Sequence, residues 1–123
     1  MHQAMQRVLA LMLLAASPIT ALPPDLQARQ TLTHVVRVDA GSFQPESVVA
    51  SVGDTIQFQF GSTADTATQS SFTDPCTALA GGFDSGVQNG GVFSIRVENT
   101  NPIFVMSRNG CDKGQVMAVN APT

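Results

Sequence analysis

Residues Thr55–Phe60 read TIQFQF. Ile56, Phe58 and Phe60 alternate with Gln57 and Gln59, so an extended backbone puts three large apolar side chains on one face and both carboxamides on the other. A helix would scatter the same residues around its axis. Gly53-Asp54 precedes the run and Gly61-Ser62 follows it, so turn residues stand at both ends. A strand with one apolar face must pack that face against a second layer. The rest of the chain offers partners of the same kind. Leu32–Val38, Ser47–Val52, Val92–Val97, Pro102–Met106 and Gln115–Val119 read as strands, and Asp65–Gln69 as a weaker one. Proline lacks a ladder donor, which suits Pro102 to the start of its strand. Phe43–Glu46 reads as a turn around Pro45. Thr73–Gly91 is the least regular stretch, with Pro75 and Gly81, Gly82, Gly86, Gly90 and Gly91; Cys76 heads a short helical turn through Ala80. About seven strands with almost no helical periodicity predict an all-β sandwich or barrel.

The N-terminal segment belongs to a different class. Arg7–Ala21 reads RVLALMLLAASPITA: one basic residue, an apolar run over Val8–Ala16, then small residues. This is the pattern of a secretory signal peptide, assigned to residues 1–21. The apolar run is well short of the ~20 residues that cross a bilayer, which disfavours a membrane anchor. Cleavage falls after Ala21 or, alternatively, after Ser17. Residues 22–31 form a flexible leader containing Pro23 and Pro24, and residues 32–123 the folded domain.

Removing residues 1–21 takes away one cation, Arg7, and no acid, which moves the net charge from −3 to −4. No basic patch remains, which argues against nucleic acid and anionic membrane as partners. No hydrophobic tail follows Asn120, so no glycolipid anchor signal is expected. The product is expected to be secreted and extracellular. There an even number of cysteines favours a disulfide, here Cys76 with Cys111. It would close a loop of about 35 residues and stabilise a small domain by roughly 3–4 kcal/mol on the chain-entropy model. Two free thiols or a metal-binding pair are the alternatives.

From Val52-Gly53-Asp54-Thr55 onward the sequence resembles a known family. The resemblance runs through TQSSFTDPC (Thr68–Cys76), LAGGFDSG (Leu79–Gly86), NPIFVMSRNGC (Asn101–Cys111) and VMAVNAP (Val116–Pro122). These segments resemble the fungal extracellular cupredoxin-like proteins, which are related to plastocyanin. The resemblance extends over roughly Thr33–Pro122 and implies a Greek-key cupredoxin-like β-sandwich. It also implies a place for copper, held in that family by two histidines, a cysteine and a methionine. At the matching positions this chain has Asp65, Ser107, Gly110 and Gln115. The resemblance pairs Cys76 with Cys111 but supplies no copper ligands.

A count of donors points the same way. A blue-copper site needs two imidazoles, a thiolate and a weak axial sulfur. Without residues 1–21 the chain retains one histidine, His34, and two methionines, Met106 and Met117. No metal and no cofactor is expected. His34 reads as a solvent-facing or hydrogen-bonded strand residue, and both methionines as core. Asp65, Asp74, Asp84 and Asp112 lack the spacing of a calcium loop and read as solvated loop carboxylates. The seven phenylalanines are expected to fill the core; with no Trp and no Tyr, sugar stacking is a weak reading.

There is no G-x-S-x-G elbow, and a lone histidine is weak support for a nucleophile, so no enzyme is expected. The leading functional reading is an extracellular binding or interaction module. Its polar surface would be formed by Asp65, Ser107, Arg108, Asn109 and Gln115 at the loop end of the sandwich, and its partner would be an extracellular protein or cell-wall component. The alternatives are a structural or cell-wall protein with no specific ligand, and a copper-handling or electron-transfer protein that borrows ligands from a partner.

Overall fold

The computed structural model describes residues 30–122; the segment read as a signal peptide and nearly all of the leader lie outside the described residues. Eight strands follow in chain order: β1 (Thr33–Asp39), β2 (Ser42–Gln44), β3 (Ser47–Val48), β4 (Thr55–Phe60), β5 (Thr68–Ser70), β6 (Val92–Arg96), β7 (Ile103–Met106) and β8 (Val116–Val119). They form two four-stranded sheets, ordered β2-β1-β4-β6 and β3-β8-β7-β5. β1 runs parallel to β4 and β3 parallel to β8, and every other pairing is antiparallel.

The alternation in TIQFQF does what it predicts. Ile56, Phe58 and Phe60 are buried, while Gln57 and Gln59 are only partly covered. The register sets Val36 of β1 beside Phe58 and Val38 beside Phe60, and Phe93 of β6 opposite Phe58. Phe58 is the centre of an aromatic group. Phe43 meets it edge-on at 6.3 Å, and Phe83 and Phe93 lie at 6.3 and 6.4 Å. From the second sheet, Val105, Met117 and Val119 close the core. Each such buried side chain contributes about 1.5–3 kcal/mol, which makes this layer the main source of cohesion.

Several expectations need correction. The segment read as a turn around Pro45 also contributes a strand, because residues 42–48 are shared between the sheets: Ser42–Gln44 pair with β1, and after Pro45 Ser47–Val48 pair with β8. The strand expected over Ser47–Val52 stops at Val48. The amide of Ala50 donates to the Asn120 side chain at 2.8 Å, and Val49 is 84% exposed, so the ladder is not continued. The strand expected over Asp65–Gln69 begins at Thr68. Before it, the backbone runs beside 84–88, with Gln88 N–H donating to Asp65 O (2.9 Å) and Ser85 N–H to Ala67 O (3.0 Å).

The segment after Cys76 is a series of turns and not a helix. A 3-10 turn occurs instead at Cys111–Lys113, closed by Gly114 at φ +95°. Two phenylalanines lie outside the core. Phe72 is 76% exposed, and Phe104 lies against it with ring centroids 5.8 Å apart. The Cys76–Cys111 disulfide is formed and links the 71–76 loop to that 3-10 turn.

Candidate functional site

β7 and β8 are antiparallel, so the end of one lies beside the start of the other. The connection from Ser107 to Gln115 folds tightly: Ser107 N–H donates to Gln115 O (3.2 Å) and Gln115 N–H to Gly110 O (3.0 Å). The chain leaving β4 approaches this loop through residues 61–66. Ala64, at φ +56°, takes the left-handed conformation that a side chain normally disfavours, and the next residue, Asp65, is 2% exposed.

Asp65 is the hub of the site. Its Oδ1 accepts from Ser107 Oγ and from Gln115 Nε2, each at 3.0 Å, and its Oδ2 accepts a short bond of 2.5 Å from the Thr63 hydroxyl. Ser107 Oγ in turn accepts the Thr66 amide at 3.0 Å. Ser107 is 0% exposed and Gln115 1%. A buried carboxylate with three polar partners is compensated, and removing any one donor would leave part of its charge unsatisfied.

The outer residues of the loop are also engaged. The Arg108 guanidinium pairs with Asp84, and its backbone N–H donates to Thr66 Oγ1 at 3.0 Å. Burial raises the Asp84 carboxyl, but hydrogen bonds from Arg108, the Gly86 amide and the Thr68 hydroxyl outweigh it and hold the group below the ordinary carboxylate value. Asn109 Nδ2 donates to the carbonyls of Thr63 (3.0 Å) and Ala64 (3.2 Å).

Gly110 is buried. Its φ of −123° suits any residue, so its small size has another cause. A Cβ built on it would come within 2.0 Å of Gln115 Oε1.

The polar residues singled out from the sequence therefore do converge, but they do not form a surface. Asp65, Ser107 and Gln115 point inward and satisfy one another; Arg108 and Asn109 alone are exposed. The reading of Asp65 as a solvated carboxylate is corrected for the same reason, whereas Asp74 and Asp112 are exposed. Thr63 and Thr66 complete the cluster and were not anticipated, since neither their type nor their spacing marks them; Asp84, read as a solvated loop carboxylate, is exposed and pairs with Arg108.

At the other end of β4, His34 Nε2 lies 2.9 Å from Asp54 Oδ2. Asp54 also accepts the amides of Leu32 and Ser51, each at 3.0 Å. Led by the His34 hydrogen bond and then these amides, the site lowers the Asp54 carboxyl to about 2.

The donors of the Asp65 cluster do not suit copper. At the four positions assigned by the resemblance stand a carboxylate, a hydroxyl, a residue with no side chain and a carboxamide. None is an imidazole, a thiolate or a thioether. Gln115 fills the space next to Gly110, His34 belongs to the far end, and both cysteine sulfurs are in the disulfide.

No family model matches the sequence. A protein of Arthroderma benhamiae named "Probable GPI-anchored cupredoxin-1" is 31% identical over 103 residues, covering 80% of this chain and 55% of that protein. The chain thus spans about half the length of the curated relative it matches. Among solved structures, a purple cupredoxin from Nitrosopumilus maritimus superposes with a TM-score of 0.60 at 14% identity, over 70% of this chain and 96% of that one. Plastocyanin from the fern Dryopteris crassirhizoma gives 0.54 at 16% identity, over 69% and 96%. Amicyanin from Paracoccus versutus gives 0.52 at 12%, over 81% and 84%. At these identities the structural likenesses establish the fold.

Proposed function

This chain is a cupredoxin-fold protein related to a fungal cupredoxin, and from that premise we propose that it acts as a non-catalytic extracellular interaction module from which the copper centre has been lost. The observation that carries this reading is the buried cluster Asp65–Ser107–Gln115, whose polar atoms are spent on one another at the end of the sandwich where the resemblance places the metal. A redox centre needs soft donors held open for a metal, and this cluster has hard donors that are closed on themselves. The name of the GPI-anchored relative supports a cell-surface or extracellular setting. A rigid two-sheet frame with exposed loops is suited to presenting a contact surface.

Two measurements test the proposal. Purified protein treated with excess Cu(II) and then desalted is expected to retain far less than one copper per chain and to show no thiolate-to-copper absorption band. Stoichiometric, coloured copper would overturn the loss and favour the copper-handling reading. Labelled full chain is then titrated onto isolated fungal cell walls and onto immobilised culture-medium proteins. Saturable retention on either is expected; its absence on both would leave a structural role with no specific ligand.

A further inference from the structure

The outer face of the second sheet carries a feature that the Asp65 cluster does not explain. A groove of about 340 Å³ lies there, lined by Phe72, Phe104, Pro75, Val116, Ala118 and Ser70 among others. It is open on one side and mostly apolar. Phe104 and Ala118 form the floor from β7 and β8, where they are directly paired. Phe72 and Pro75 overhang it from the 71–76 loop. Phe72 is 76% exposed, a poor position for a large aromatic side chain on a soluble surface unless something contacts it.

This overhang is held in place. The Asp74 amide donates to Ser71 Oγ at 3.2 Å, the Thr77 amide to Asp74 O at 3.2 Å, and the Cys76–Cys111 disulfide fixes the loop to the 3-10 turn. A loop fixed in advance loses little freedom when a partner docks.

The polar lining limits what fits. Ser70 lines the groove and is 3% exposed, and its hydroxyl has no hydrogen-bond partner among the described residues. That oxygen is closed off from solvent, so it offers an occupant of the groove no hydrogen bond. The charged residue lining the groove is Glu46, no Lys or Arg lines it, and the exposed Asp74 lies next to Pro75 in sequence. Acidic groups beside an apolar slot favour a cationic occupant over an anionic one.

We propose that this groove is the contact surface of the module and that it takes a short peptide segment of a partner protein, with an apolar side chain packed onto the Phe72–Phe104 pair beside Val116 and Ala118 and a flanking Lys or Arg facing Glu46. The proposal rests on the interaction-module reading and assigns its surface. An aromatic anchor in a preformed slot with charged neighbours is a common arrangement for a small number of residues to dominate binding.

The test uses the full chain, labelled with nitrogen-15, and three synthetic octapeptides. One combines lysine with leucine and phenylalanine; the second replaces lysine by glutamate; the third keeps the lysines and replaces the apolar residues by serine. The first is expected to shift the amides of Ser70, Phe72, Phe104 and Ala118 saturably, with the other two at least ten-fold weaker. Phe72→Ser and Glu46→Gln are each expected to weaken the first peptide about five-fold or more. Both sites are exposed, so an unchanged circular dichroism spectrum checks that the variants remain folded.

Equal binding of the glutamate peptide, shifts confined to Arg108 and Asn109, or no saturable shift at all would overturn the proposal. So would concentration-dependent self-association abolished by Phe72→Ser, which would make the occupant a second copy. Retention on cell walls or secreted proteins separates the two ideas. If wild type and Phe72→Ser are retained equally, the module stands and the groove is excluded. If neither is retained and the peptides fail, both readings are excluded.

Discussion

Two buried aspartates flank β4. Asp54 precedes the strand and Asp65 follows the turn beyond it, at 3% and 2% exposure. Each accepts hydrogen bonds from three sources, yet the partners differ. Asp54 is held by His34 together with the backbone amides of Leu32 and Ser51, all within 22 residues of it. Asp65 draws two of its three donors from residues 42 and 50 positions away, Ser107 and Gln115, and all three are neutral side chains. The first arrangement stabilises a turn and the start of β1. The second holds together segments that nothing local would bring together. The Asp65 end also has the disulfide, whereas the Asp54 end has none.

The comparison can be broken at its strongest point first. Replacing both Cys76 and Cys111 by Ser releases a loop with a sequence separation of 35. It is expected to cost about 3–4 kcal/mol in urea unfolding on the chain-entropy model. A loss below about 1 kcal/mol would mean that the Asp65 network alone holds that end. Asp65→Ala comes next. It leaves the Gln115 carboxamide buried without this acceptor, while the Ser107 hydroxyl keeps Asn109 Oδ1 at 2.7 Å, and about 1–3 kcal/mol should be lost. Asp65→Asn should lose less, since one carbonyl oxygen can still accept. If the two variants unfold at the same urea concentration, the network does not act through acceptance at that carboxylate.

Acid distinguishes the two ends in another way. The folded-state value of Asp54 is about 2, below its ordinary 3.8. A depressed carboxyl contributes stability that is fully present above the ordinary value and is lost as pH falls through the folded one. Thermal unfolding of the wild type should therefore shift steeply to lower temperature between about pH 4 and pH 2, and Asp54→Asn should flatten that part of the profile. Equal slopes would remove the His34–Asp54 pair from the account. The smallest effect is expected at Arg108. Its ion pair with Asp84 is half exposed, so Arg108→Gln should cost less than about 1 kcal/mol and the difference should shrink in high salt.

The same contrast explains what was legible before the structure. The layer around Phe58 follows from a period-2 pattern that six consecutive residues display. The turn at Gly53-Asp54 is equally local, and the pairing of the only two cysteines follows from their number. The resemblance located Asp65, Ser107, Gly110 and Gln115 in one neighbourhood. It gave no sign of their direction, because burial of a polar residue depends on its partners, and these come from distant segments. Phe72 failed for the converse reason. Its type predicts burial, but it sits on a loop fixed by Cys76 and hydrogen bonds above the outer face of the sheet, where no layer covers it. The split of residues 42–48 between two sheets likewise depends on which strands lie alongside, β1 for one half and β8 for the other.

The contact between Gly110 and Gln115 has a consequence for substitution at either position. Gln115 cannot swing away from residue 110 without giving up its bond to Asp65, and residue 110 cannot acquire a side chain while Gln115 stays. The two positions are therefore epistatic, and the order of substitutions matters. A larger residue at 110 is open only after position 115 has become smaller or has turned aside, which leaves the buried Asp65 with two of its three donors. Each single substitution is therefore expected to be less stable than a paired change at 110 and 115.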